Sequence, residues 1–166
     1  MGSGCLSLVV MPREDVAALI RAAFADTPYP GAEFGDISAT MWDEGIVEYF
    51  RGKSWRGHKV LDLRHHGAAL SFFTDKAFRY WLPAFMLAEL ETPIEADVIG
   101  ENIASSLTRR GYEARLGEFA QDELEAIAAF CDECDFQGAA RAVRAQIQKG
   151  ITSGCREPGD DASVDN

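Results

Sequence analysis

Residues 50–90 read FRGKSWRGHKVLDLRHHGAALSFFTDKAFRYWLPAFMLAEL. The second half of this stretch decides the fold. Phe78, Trp81, Leu82, Phe85, Met86 and Leu90 recur at helical spacing and make a wide apolar face. Thr74 suits the N-cap of that helix, and Phe73 before it is placed to pack on Phe78 as a hydrophobic staple. Pro83 falls inside the pattern, where it removes one backbone hydrogen bond and predicts a kink, with a hinge or a freed carbonyl at Arg79 as the functional alternative. The same 41 residues hold two of the three tryptophans, all three histidines and half of the ten phenylalanines.

Working outward, helices follow on both sides. Pro12 to Phe24 carries Val16, Leu19, Ile20, Ala23 and Phe24 on one stripe, with Glu14 and Asp15 at the positive end of its dipole. The turn signal PYPG at 28–31 stops it. A helix over Ala39 to Arg51 is expected to bury Trp42, Ile46, Val47 and Phe50 and to end at Gly52. The segment VLDLR at 60–64 fits a short strand or a helical turn. Short helices are preferred, because no second strand is at hand to pair with it. Thr92, Pro93 and Glu95 form a capping-box start for a helix burying Ile94, Val98, Ile99, Ile103 and Leu107 and ending at Arg109–Gly111. A linker, 112–120, leads to helices over Gln121–Cys134 and Gln137–Lys149, which Gly150 closes. The fold class is therefore all-α: a compact bundle of five to seven helices around a Pro-kinked aromatic helix. Residues 1–11 read as a flexible N-terminus, 12–150 as one helical domain, and 151–166 as a disordered acidic tail.

Composition narrows the function classes. A chain of 166 residues can bury a core without metal or disulfide staples. No apolar run nears the roughly 20 residues needed to span a bilayer, and Leu6–Met11 is too short and lacks the preceding basic residues of a signal peptide. The expectation is a cytoplasmic protein with no membrane association, its four cysteines reduced. A net charge of −11 argues against nucleic-acid binding and favours a basic partner.

Charge is unevenly placed. Window 51–66 holds Arg51, Lys53, Arg56, Lys59 and Arg64 against Asp62 alone, and all three histidines, His58, His65 and His66. One reading is a solvated loop that offsets the acidic body. The other is an anion site, with Arg51, Trp55, Arg56, Arg64, His65 and His66 as ligand-binding candidates, since arginine beside an aromatic group marks binding hot spots. His58, Asp62 and His66 are four apart and share a face, yet His58 and His66 would stand about 12 Å apart on a helix. That is too far for one ion; Asp62 with His65 or His66 alone is feasible but needs ligands from elsewhere, and a His–Asp pair could instead do acid–base work, so neither a metal nor a cofactor is expected. No adjacent serine or cysteine completes a nucleophile motif, and no glycine-rich phosphate loop is present. Cys131 and Cys134 form a CxxC that closes a helix on its apolar stripe, where buried thiols are expected rather than redox chemistry.

At FRGKSW and LSFFTDKAFRYWLPAFM the chain resembles an uncharacterised bacterial family of small helical proteins with FRGK-W and AFRY-LPA segments. ELEAIAAF at 123–130 looks like that family's Ile/Leu-rich helix near the end. The resemblance spans about Ala17 to Phe130, and its specific part is Phe50 to Met86. It implies a shared fold and, with no assigned reaction, no catalytic residues. The CxxC and the double histidine are not features of that family. Together these readings point to a non-catalytic cytosolic module that binds a protein partner, in one version an immunity- or antitoxin-like protein whose acidic surface neutralises a basic toxin. The competing expectation is an enzyme or small-anion receptor centred on 51–66. The sequence carries no signal for oligomeric state.

Overall fold

The computed structural model describes residues 11–42 and 45–154. Among these the chain forms eleven helices and no strand. Five have ten residues or more: α1 (Arg13–Ala23), α6 (Asp75–Glu91), α8 (Ile99–Thr108), α10 (Gln121–Glu133) and α11 (Gln137–Gly154). The other six are one or two turns each: α2 (Phe34–Ile37), α3 (Ile46–Phe50), α4 (Val60–His65), α5 (Ala69–Phe72), α7 (Pro93–Ala96) and α9 (Tyr112–Leu116). The fold is all-α.

Helix α6 is the centre. Thr74 caps it by accepting from the Ala77 N–H at 3.2 Å, and the helix continues through Pro83, which is itself buried. Phe78, Trp81, Leu82, Phe85 and Met86 are all completely buried, so the helix is apolar nearly all round, as a core helix must be. Phe73 packs its ring on Trp81 (centroids 5.4 Å apart, 20° between planes) and against Phe50. Around α6 stand α1 and α8, and α10 and α11 pack against each other on the outside. A single cluster of buried residues runs from Val16 to Val143.

Glu123 ties α6 to α10. Its side chain is 2% exposed. It accepts two hydrogen bonds from Arg79, at 2.7 and 3.1 Å, one from Thr27 Oγ1 at 2.5 Å and one from the Ala120 N–H at 2.8 Å. Arg115 is the second buried ion. Its guanidinium reaches Asp75 at 3.1 Å, the Leu70 and Phe73 carbonyls at 3.1 and 3.3 Å, and the face of Phe78.

Four expectations are corrected. Among the described residues, the helix expected over Ala39–Arg51 forms only at Ile46–Phe50. The backbone at 38–39 is instead extended. Ser38 bridges Phe73, with the Ala39 N–H on the Phe72 carbonyl and the Thr74 N–H on the Ile37 carbonyl. Trp42 is consequently 85% exposed instead of buried. Second, the helix expected from Thr92 to Arg109 is broken at Asp97, whose φ is 55°. That break shifts the helical phase, leaving Ile94 93% and Val98 45% exposed. Thr92 does stand at the N-cap of α7, but its hydroxyl donates to the Ala88 carbonyl and makes no capping hydrogen bond. Third, the expected linker 112–120 contains α9, anchored by Arg115. Fourth, Gly150 does not close the last helix. Residues 151–154, expected as the start of a disordered tail, continue it, with Thr152 and Ser153 donating their hydroxyls to the Lys149 carbonyl. The rest of that tail, 155–166, and residues 1–10 lie outside the described residues.

Candidate functional site

The cation-rich window folds into short helices and turns because glycines and a buried tryptophan interrupt it. Gly52 and Gly57 both adopt positive φ, 70° and 80°, so the chain reverses twice between α3 and α4. Trp55 sits between these turns, 2% exposed, as part of the core. Four of the five cations reach different partners. Arg51 Nε donates to the Ala32 carbonyl at 3.0 Å. Lys53 lies over the Tyr49 ring at 3.7 Å. Arg56 stacks on Trp55 at 4.2 Å and donates to the Ala25 carbonyl at 3.0 Å. Arg64 pairs with Asp97, at the break after α7, at 2.7 Å.

The histidines also separate. His58 Nε2 donates to the Ser54 carbonyl at 2.8 Å, so in the neutral ring Nδ1 accepts from the Tyr49 hydroxyl at 3.0 Å. Burial is the largest influence on His58 and holds its pKa below the ordinary histidine value. His66 stacks on Tyr49, centroids 4.2 Å apart, and burial lowers its pKa in the same direction. The same burial raises Tyr49, with Asp62 adding to it. His65 is exposed at the end of α4 and meets His66 edge-on. Among the described residues no three of His, Cys, Asp and Glu gather as a metal-binding group would. Trp55, Arg64, His65 and His66 do not converge on one cavity.

Two cavities border the segment. The first is a cleft of about 420 Å³ between residues 55–60 and the C-terminal half of α6. Its apolar surface comes from Trp55, Val60, Ala84, Leu87 and Ala88, and its polar groups from Arg21, Arg56, His58, Glu91 and Thr92. Arg21 of α1 and Glu91 of α6 form an ion pair at this cleft. The second, of about 340 Å³, is lined by Tyr49, Lys53, Lys59 and Asp62 among others, and Arg56, Gly57 and His58 border both. Of the six sequence candidates, Trp55 and Arg56 line the first cleft, while Arg51, Arg64, His65 and His66 do not. Arg21, Ala84, Leu87 and Glu91 were missed because tertiary packing alone brings them to the window.

The CxxC lies away from these cavities. Cys131 is buried and Cys134 half-buried, both as free thiols. Burial pushes Cys131 up to about 12 and Cys134 up to about 11, so neither forms a thiolate readily at neutral pH.

A different surface stands out on the far side of α4. Segment 91–101, ETPIEADVIGE, carries four carboxylates and no lysine or arginine. Ile94 and Val98 are exposed within it, and Leu61 of neighbouring α4 is 61% exposed. Of the carboxylates, Asp97 and Glu91 are paired, and Glu95 and Glu101 have no ion-pair partner among the described residues. The sequence pattern had assigned Ile94 and Val98 to the core.

The model of a family of unknown function, DUF6714, matches residues 12–151, nearly the whole of this helical body. The chain belongs to that family. The DUF6714 match contains α1 to α10 entire, and with them both cavities and the 91–101 surface. It bears out a relationship to an uncharacterised family and assigns no reaction. No curated protein and no solved structure matches the chain. No helix among the described residues is long and apolar enough to cross a membrane.

Proposed function

We propose that this chain is a non-catalytic protein-binding module that takes a basic, amphipathic segment of a partner protein on the α4–α7 surface. The observation that carries the reading is Ile94, 93% exposed in a segment with four carboxylates and no cation. A large aliphatic side chain held almost wholly in water contributes nothing to this chain's own stability, and acidic groups around it favour a cationic partner. Helices α4 and α7 lie against each other, with Arg64 paired to Asp97 between them, and Leu61, Ile94 and Val98 are exposed along these two neighbouring segments. The overall charge of −11 adds long-range attraction for the same class of partner. An immunity- or antitoxin-like role, neutralising a basic toxin, is the specific form of this proposal, and the cytoplasm its expected place. The disengaged thiols and the fully bonded His58 support a binding role over a catalytic one.

The test is capture from a lysate of the source cell with wild type and with the Ile94→Lys/Glu95→Lys variant side by side, followed by the association rate of any retained protein at two salt concentrations. The reading expects one basic protein held by wild type, lost by the variant, and associating more slowly as salt rises. A partner held equally by both, or one whose association rate ignores salt, refutes it.

A further inference from the structure

The cleft between residues 55–60 and α6 borders the core through Trp55, Ala84 and Ala88 and reaches the start of segment 91–101 through Glu91 and Thr92. We propose that it is a binding site for a small monocarboxylate with an apolar body, an aryl or medium-chain acid, with Arg56 as the carboxylate-binding group. Its volume, about 420 Å³, lies within the range of small-molecule sites. The body of the ligand meets the aliphatic residues Val60, Ala84, Leu87 and Ala88.

The polar side of the cleft selects the head group. Arg21 is neutralised by Glu91 within the cleft. Arg56 has no carboxylate partner among the described residues. Its observed contacts are the indole of Trp55 and one hydrogen bond to the Ala25 carbonyl. A guanidinium has five N–H donors, so several remain to grip a carboxylate, and its plane is already fixed by stacking on Trp55. His58 is held neutral by burial and its ring nitrogens are occupied, so it adds no second positive charge. With Arg21 and Glu91 paired, Arg56 is the one cation of the cleft without a carboxylate partner among the described residues, which matches a single negative charge on the ligand better than two. The ligand lies apart from Ile94, so this site and the partner surface stand or fall separately.

The experiment is a titration of the full-length chain with phenylacetate, phenylacetamide and inorganic phosphate, followed by the indole N–H resonances of Trp42, Trp55 and Trp81, assigned by single Trp→Phe substitutions. Phenylacetate is expected to saturate and to move the Trp55 resonance while leaving exposed Trp42 in place. Phenylacetamide, which has the same body without the charge, is expected to bind roughly tenfold more weakly. Arg56→Gln is expected to reduce phenylacetate affinity by a similar factor and to leave phenylacetamide unchanged. If phenylacetate and phenylacetamide bind alike, if neither saturates, or if phosphate binds more tightly than phenylacetate, the proposal is overturned. The comparison of the two ligands on wild type decides the matter even where Arg56→Gln fails to fold.

Discussion

Replacing Glu123 by alanine tests the account of how α6 is fixed. In the native protein this carboxylate takes four hydrogen bonds, two from Arg79 and one each from Thr27 and the Ala120 N–H, and is 2% exposed. Removing one partner of a buried pair typically costs about 3–5 kcal/mol, because the other charge stays behind without its counter-ion. Arg79 is 23% exposed, so water can reach part of the guanidinium and moderate that cost. The Ala120 N–H, at the start of α10, also loses its acceptor, a loss of about 1 kcal/mol for a helix cap. The expected destabilisation is therefore about 3 kcal/mol, a large part of the roughly 5–15 kcal/mol that a domain possesses. Glu123→Gln, which keeps an acceptor for Ala120, is expected to lose about half as much. Urea unfolding at pH 7, followed by far-ultraviolet circular dichroism, reads both values. A Glu123→Ala variant within about 1 kcal/mol of wild type would refute the claim that this pair anchors the central helix, under the same principle of uncompensated buried charge.

Three further outcomes are expected. Gly100→Ala would place a Cβ 2.8 Å from Glu89 Cδ and 2.9 Å from Phe136 Cζ; Glu89 must swing away and give up its hydrogen bond to the Gly100 N–H, a loss of about 1 kcal/mol that offsets alanine's helix preference of about 1 kcal/mol, so Tm stays near that of wild type, and a clear rise would contradict the close approach of Glu89 to α8. Burial lowers the His58 pKa, so the unfolded chain binds the proton more readily than the folded one; the stability that neutral His58 contributes is complete above about 6.5, its unfolded value, and is lost as pH falls below it. The stability difference between wild type and His58→Gln accordingly shrinks between pH 7.5 and 5.5, and a difference that grows would show the wrong sign. Finally, Cys131 and Cys134, with thiols pushed to about 12 and about 11, are expected to react with a thiol reagent at pH 8 far more slowly in the folded protein than in urea; equal rates would show that they are accessible thiolates.

The fold was legible where local pattern and packing agree. Thr74, Phe78, Trp81 and Phe85 announce α6, and the structure uses them as the spacing implies. Legibility failed where a contact distant in the chain overrules a good local pattern. Trp42, Ile46, Val47 and Phe50 fit one helical stripe, but the Ser38–Phe73 bridge holds the backbone extended just before them. Ile94 and Val98 fit the stripe of Ile99 and Ile103 until Asp97 breaks the phase. Arg115, in a segment with linker-like composition, is buried because acceptors more than 40 residues away receive it. At the candidate site, the charge excess of 51–66 was visible, yet not its use. Arg51 and Arg64 are engaged by the Ala32 carbonyl and Asp97, while Arg56 gives one hydrogen bond to the Ala25 carbonyl and stacks on Trp55. The cleft exists only because α1 and α6 supply its other side.

The single bridge between Ser38 and Phe73 brings the chain back to the point it left, so residues 39–72 form one excursion from the helical body. That excursion supplies one wall of the cleft, Trp55 to Val60, while Ala84 to Glu91 of the body supply the other. Two sides of the cavity are thus written in separate parts of the sequence. Changes at Arg56 or His58 would therefore alter the polar wall of the cleft without altering the helix that forms its floor.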